Sequence, residues 1–168
     1  MRPKSKAAQR SAADQRAAFA DARNLALELA GINTPFTIDA MAAGLVLERG
    51  ELGRRMAELW LRMRLGGTWR QPSWSQVLIT DRRLLVRLDT GELISLWWGS
   101  LVGFEADLHR SHVVLDFGDG RPRSLSGPAV ALVAVAGVDR LYGPEALLAH
   151  PALAPLRHSQ DPVAAEPR

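Results

Sequence analysis

The clearest strand-like pattern of apolar and polar positions along the chain lies at residues 75–88. Gln-Val-Leu-Ile-Thr at residues 76–80 and Leu-Leu-Val-Arg-Leu at residues 84–88 flank the pair Asp81-Arg82. Two short runs of this kind, separated by a brief polar turn, are typical of a β-hairpin. The pattern therefore predicts a tight hairpin over this segment.

Further short strands follow downstream, and each is bounded by turn-forming residues. Asp89-Thr90-Gly91 and Gly118-Asp119-Gly120 are the strongest of these turn signals. Strands joined by turns this short must be antiparallel, because a parallel crossover needs about a dozen residues. The predicted strands cover residues 92–98, 101–108, 112–117 and 123–125.

Residues 52–65 fit two templates. Apolar residues recur at helical spacing from Leu52 to Met63, and they also alternate with polar residues from Ala57 to Leu65. We favour a strand because every downstream segment is strand-like, and the helix stays open as the alternative. In a strand, the face turned away from the apolar residues would hold Glu58, Trp60, Arg62 and Arg64.

Helices are predicted at both ends of the chain. Residues 12–30 carry apolar positions at three- and four-residue spacing, and Gly31 is a natural stop. After Gly127, the apolar run from Pro128 to Leu141 favours a helix that covers one opening of the sheet, although its valines also allow a buried strand. Short helices are expected at residues 39–43, capped by Thr37 and ended by Gly44, and at residues 145–149.

These elements give a division of the chain. We expect a disordered basic tail at residues 1–11, an N-terminal helix at 12–34, a β domain at 45–150 and a loose, Pro-rich tail at 157–168. The length of 168 residues suits one domain with a real hydrophobic core. No run of about 18 apolar residues occurs, so a membrane-spanning helix is not expected.

The amino-acid composition limits the kinds of functional site that the chain can form. Cysteine is absent, which removes disulfides, thiolate metal sites and cysteine nucleophiles. The abundance of arginine, alanine and leucine is typical of a GC-rich bacterial genome. The net charge of +3 is concentrated near the N-terminus. That basic arm could touch nucleic acid or an anionic membrane, or be a solvated tail, and the balanced body makes nucleic acid the least favoured partner.

The sequence signals for catalytic and metal-binding residues are weak. His109 and His112 flank a predicted turn without the spacing of zinc motifs, and Gly118-Asp119-Gly120 suits a turn rather than a phosphate loop. The serines lie in no nucleophile elbow. We therefore expect no enzyme, no metal and no cofactor.

One segment carries a family resemblance. Residues 77–86, Val-Leu-Ile-Thr-Asp-Arg-Arg-Leu-Leu-Val, resemble the hairpin of bacterial pleckstrin-homology-like (PH-like) and GRAM-type domains, and residues 47–51, Leu-Glu-Arg-Gly-Glu, are similar to the entry motif of those families. The resemblance covers roughly residues 45–149. It implies an α+β, mainly antiparallel fold: a bent seven-stranded sheet or barrel, capped by a C-terminal helix and here preceded by the N-terminal helix. It also implies a binding or scaffold role, in some members toward lipid headgroups.

Tryptophan is the most unusual component. Five tryptophans lie between Trp60 and Trp98, against a single tyrosine in the chain. Trp97 and Trp98 must face opposite sides of their strand. Trp69 and Trp74 bracket a predicted loop that contains Arg70, where exposed aromatics suit an interface. The alternative is that both loop tryptophans fold back over the opening of the sheet.

The functional expectation is a non-enzymatic binding or scaffold module in the cytoplasm. Its partner would be a protein or a second copy of the chain, and the alternative is peripheral binding to an anionic membrane through the basic arm. The candidate binding residues are Trp69, Arg70, Trp74, Arg2, Lys4, Lys6 and Arg10.

Overall fold

A computed structural model describes residues 6–158 of the chain. Its three helices are α1 (Lys6–Leu29), α2 (Val130–Tyr142) and α3 (Ala154–His158). Short 3-10 helices cover Ala40–Ala43, Trp98–Ser100, Pro144–Leu148 and Pro151–Leu153. The strands are β1 (Gly53–Leu65), β2 (Thr68–Trp69), β3 (Ser73–Thr80), β4 (Arg83–Arg87), β5 (Leu93–Trp97), β6 (Gly103–Asp107), β7 (His112–Asp116) and β8 (Arg123–Ser126).

The strands form one antiparallel sheet in the order β5-β4-β3-β1-β8-β7-β6, and β2 pairs with β1. Every step along this order is antiparallel, both in the hairpins with short turns and between the distant strands β1 and β8. The end strands β5 and β6 do not pair with each other, so the sheet is not closed into a barrel. This arrangement, with a helix after the last strand, confirms the α+β, mainly antiparallel fold class.

The open question at residues 52–65 is settled as strand β1. Its alternate residues Ala57, Leu59 and Leu61 are buried, whereas Trp60 and Arg62 on the other face are exposed. β1 pairs with β3 along one edge and with β8 along the other. Because both partners lie outside residues 52–65, the periodicity of that segment alone could not separate strand from helix here.

Helix α2 packs in the main hydrophobic core. All nine residues from Val130 to Val138 are buried, in agreement with the helix expected after Gly127. Gly137 makes a close approach possible, because a β-carbon there would lie only 2.5 Å from Cε2 of Phe104 on β6. The absence of a side chain at this position therefore sets how near α2 lies to the sheet.

Helix α1 packs on this domain. Its Ala22 and Leu25 are fully buried in the main core cluster, and the helix contacts α2. Arg55 of β1 holds it in place, with Nε donating to Asp21 at 2.9 Å and Nη2 donating to Glu28 at 2.7 Å. The apolar stripe of α1 is therefore buried against the rest of the same chain.

Two boundaries differ from the sequence expectation. The helix α1 begins at Lys6 rather than at residue 12, so residues 6–11 are helical and not a disordered tail. The 3-10 helix Ala40–Ala43 is capped by Asp39, whose side chain accepts from the Met41 N–H at 3.0 Å, and not by Thr37. Gly44 ends that helix as expected, with a φ of 69°. Residues 1–5 and 159–168 of the two predicted tails lie outside the described part.

The sheet has a second, smaller core on its outer face. Leu78 and Leu85 point away from the main core, yet both are buried because Ala40 and Leu45 lie over them. The segment before β1 therefore covers one end of the outer face and leaves the other end open.

The two motifs that carry the family resemblance meet in space. Glu51 accepts from Thr80 Oγ1 at 2.7 Å and from Arg83 Nε at 2.9 Å, and its side chain is fully buried. Burial raises the pKa of Glu51, but the hydrogen bonds from Arg83, the Glu48 N–H and Thr80 outweigh it and hold the pKa below its ordinary value. These motif residues join the hairpin to the segment before β1, which is a structural role.

The adjacent tryptophans Trp97 and Trp98 face different environments, as expected, although only Trp97 lies in β5 and Trp98 begins a 3-10 helix. Trp98 is buried, and its Nε1–H donates to the Thr80 carbonyl at 3.2 Å. Trp97 turns outward and lies under the guanidinium of Arg83, 4.7 Å from the ring centre. Both rings therefore support the β3–β4 hairpin.

Candidate functional site

The open end of the outer face carries a cluster of aromatic and basic side chains, which we call the aromatic–arginine face. Its members come from β1, β2 and β3, and all of them are exposed. The cluster consists of Trp60, Arg62, Arg64, Trp69 and Trp74, and Arg70 follows in the turn after β2.

Trp60 and Trp74 form the centre of this face. They are direct cross-strand partners between β1 and β3, with ring centroids 4.9 Å apart and planes inclined by 60°. The tilted contact is favourable for aromatic rings and stabilises the strand pair. The two residues nevertheless remain 44% and 40% exposed, so the pair presents a large apolar area to solvent.

Trp69 also lies in a strand rather than in a loop, at a point along β1 four residues beyond Trp60. It stands opposite Arg64 in the β1–β2 pairing and is 37% exposed. The N–H of Arg70 donates to the Met63 carbonyl at 2.9 Å. The loop predicted between the two tryptophans does lie at residues 70–72, but Trp69 and Trp74 themselves are strand residues. Strand pairing, and not folding back over the sheet, holds both tryptophans.

An open groove of about 680 Å³ connects the face to helix α1. Arg10 and Asp14 of α1 line one side, and Trp74, Met56 and Glu58 line the other. Two of the candidate binding residues, Arg10 and Trp74, thus line the same groove. Lys6 lies about one turn earlier on the helix and is exposed. Arg2 and Lys4 lie outside the described residues.

Sequence reasoning missed Trp60, Arg62 and Arg64 as site residues. All three are on the outward face of the strand alternative for residues 52–65, which was the available signal. Trp60 lies 14 positions before Trp74 in the chain, and only the β1–β3 register makes them neighbours. Along the other edge of β1, Trp60 pairs with Ser126 of β8, and Arg62 pairs with Ser124.

The histidines are separate from the aromatic–arginine face. His112 begins β7, opposite Asp107, and His109 is exposed in the turn between β6 and β7. Over residues 6–158, no group of three or more His, Cys, Asp or Glu side chains is arranged to hold a metal ion. None of the helices described is both long and apolar enough to cross a membrane.

Comparison with known proteins returns little at the level of sequence. No family model matches the chain, and no curated protein matches it. Among solved structures, the chain is similar to the Vps36 N-terminal PH domain, with 19% sequence identity and a TM-score of 0.43. That similarity covers 61% of this chain and 86% of the other.

Proposed function

We propose that this chain is a non-enzymatic binding module that engages a protein partner through the aromatic–arginine face. The observation that carries the proposal is the Trp60–Trp74 pair, two adjacent indoles left about two-fifths exposed on a paired sheet. Tryptophan and arginine are the residues most enriched at interface hot spots, and a contiguous exposed apolar patch marks an interaction site.

The rigidity of the face supports a recognition role. Trp60 and Trp74 stand on strands whose register is fixed along eight residue pairs. A surface that is already ordered loses little conformational entropy when it binds. The groove at Trp74 and the outer face of β1 together hold three arginines against two carboxylates, which favours a partner segment with both apolar and acidic residues. These residues are Arg10, Arg62, Arg64, Asp14 and Glu58.

A second candidate function rests on the groove between Arg10 and Trp74. A basic helix beside an exposed indole suits the surface of an anionic membrane, where arginine pairs with headgroups and tryptophan enters the interface. Arg2, Lys4 and Lys6 would add to that attraction. Either role fits a cytoplasmic PH-like or GRAM-type module of a bacterium, and neither needs a cofactor.

The experiment for the protein-binding role is peptide selection with counter-selection. A displayed random peptide library is panned on the full chain and depleted on a W60A/W74A double variant. The expected peptides carry acidic and aromatic residues and bind the wild type but not the variant. Peptides that bind both equally would place the interface elsewhere on the chain.

The membrane role has its own test. Flotation with vesicles of phosphatidylcholine and phosphatidylserine is compared between the full chain and an R10Q variant at low and raised salt. Salt-sensitive flotation that falls in R10Q would favour the membrane. Absence of flotation at low salt would leave the protein partner as the function.

A further inference from the structure

A second pocket, of about 350 Å³, lies between α1 and the C-terminal helical turns. Its volume is at the lower end of the range of about 300–1,000 Å³ for small-molecule sites. The wall is apolar and comes from four separate elements of the fold. The apolar lining residues are Ala26, Leu27, Leu147, Leu148, Leu153 and Leu156.

Two guanidinium groups line the same pocket. Arg23 donates from Nη1 to the Leu156 carbonyl at 3.3 Å, and Arg157 donates from both terminal nitrogens to the His150 carbonyl at 3.3 Å. Within residues 6–158, neither arginine forms an ion pair with a carboxylate. A guanidinium has five N–H donors, so these carbonyl contacts leave donors available to a ligand.

We propose that this pocket binds a small amphipathic acid, a free carboxylate on an unbranched apolar chain. The apolar chain would lie against the leucine wall, since burial of each methylene removes apolar surface from water. The carboxylate would accept from Arg23 and Arg157, because planar guanidinium groups match carboxylate oxygens in shape and charge. An uncharged ligand with the same apolar chain would leave both guanidinium groups without a counter-charge. We therefore expect the pocket to prefer an acid.

The site is independent of the aromatic–arginine face. Its lining comes from the second half of α1 and from residues 147–157, and it shares no residue with the groove at Trp74. Loss of protein binding in W60A/W74A and loss of acid binding in arginine variants would therefore be separate results. The full chain serves for both experiments.

The test is calorimetric titration of the full chain with decanoate, kept below its micelle concentration. Decanol presents the same chain without the charge, and acetate presents the charge without the chain. The variants are R23Q and R157Q, and R49Q removes the same charge from an exposed loop that does not line the pocket. The exposed Arg157 decides the outcome if R23Q fails to fold.

The proposal predicts saturable binding of one decanoate per chain. Affinity should fall about tenfold or more for R157Q and R23Q, in line with the loss of a charge-assisted hydrogen bond, and should be unchanged for R49Q. Octanoate should bind about fourfold more weakly for each methylene removed. Equal affinity for decanol and decanoate, no effect of R157Q, or binding only above the micelle concentration would overturn it.

Discussion

Arg83 donates to both carboxylate oxygens of Glu51, from Nε to Oε1 at 2.9 Å and from Nη2 to Oε2 at 3.0 Å. The pair links the first residue of the β4 strand to the segment that precedes β1, and the Glu51 side chain has no exposed area. A bidentate contact in this setting has a defined geometry and is not screened by solvent. It makes Glu51 a structural residue of the hairpin motif.

Glu51→Gln should destabilise the fold by about 3 kcal/mol, because it leaves the guanidinium of Arg83 without a buried counter-charge. The measurement is urea unfolding at neutral pH. Glu48→Gln is the matched control, since Glu48 pairs with Arg82 of the same hairpin but both side chains are substantially exposed. That control should cost less than about 1 kcal/mol. Equal losses for the two variants would contradict a structural role for the buried pair.

Acid should destabilise the protein through the same carboxylate. The pKa of Glu51 is held below its ordinary value of 4.5 in the folded chain, so the unfolded chain takes up a proton first as pH falls. The stabilisation is thus complete above about pH 4.5 and is lost as pH falls through the folded pKa. Denaturant unfolding at stepwise lower pH should show a smaller decline for E51Q than for the wild type. Parallel declines would exclude Glu51 as a source of acid sensitivity.

Asp139→Asn should stabilise the protein at neutral pH. Burial raises the pKa of Asp139, and its negative charge lies near the C-terminus of α2, where the helix dipole disfavours an anion. The folded state therefore favours the neutral acid, and the cost appears as pH rises above the ordinary value of 3.8. Thermal unfolding at pH 7 should shift upward by about 2–4 °C, equivalent to about 1 kcal/mol in a chain of this size. The gain should disappear at pH 3, and a gain that persists there would refute the charge explanation.

Gly137→Ala should be destabilising, although alanine is the better helix former. The added β-carbon would meet the Phe104 ring at 2.5 Å, so the ring or the helix must move. Overpacking of this kind costs about 1–3 kcal/mol. Urea unfolding measures the loss, and Phe104→Leu in the same chain should reduce the penalty of the alanine. A G137A protein as stable as the wild type would show that α2 does not depend on this close approach.

Local signals account for what the sequence could predict. The β3–β4 hairpin is closed by two residues, so its turn chemistry and its apolar runs are all within one short window. The strand β1 depends on β3 and β8, whose pairing is not visible in a window around residues 52–65. The predicted N-cap of the helix at Ala40 was two residues too early, because Thr37 and Asp39 are both good capping residues.

The candidate site, too, could be predicted from local sequence only in part. Trp69 and Trp74 were selected because they are close in sequence, whereas the nearest aromatic neighbour of Trp74 is Trp60 across the sheet. Likewise, nothing local to Arg10 indicates that it shares a groove with Trp74, since that depends on how α1 docks through Arg55. The face is thus a property of strand register and helix docking.

The most direct test of the binding role is the affinity of a selected peptide for three proteins. Titration compares the wild type, W60A/W74A, and V102A, which truncates an exposed apolar residue elsewhere on the surface. Because hot-spot tryptophans contribute about 2 kcal/mol or more, the double variant should bind at least about thirtyfold more weakly, with V102A unchanged. Equal affinity of the wild type and W60A/W74A, with both folded, would contradict the account.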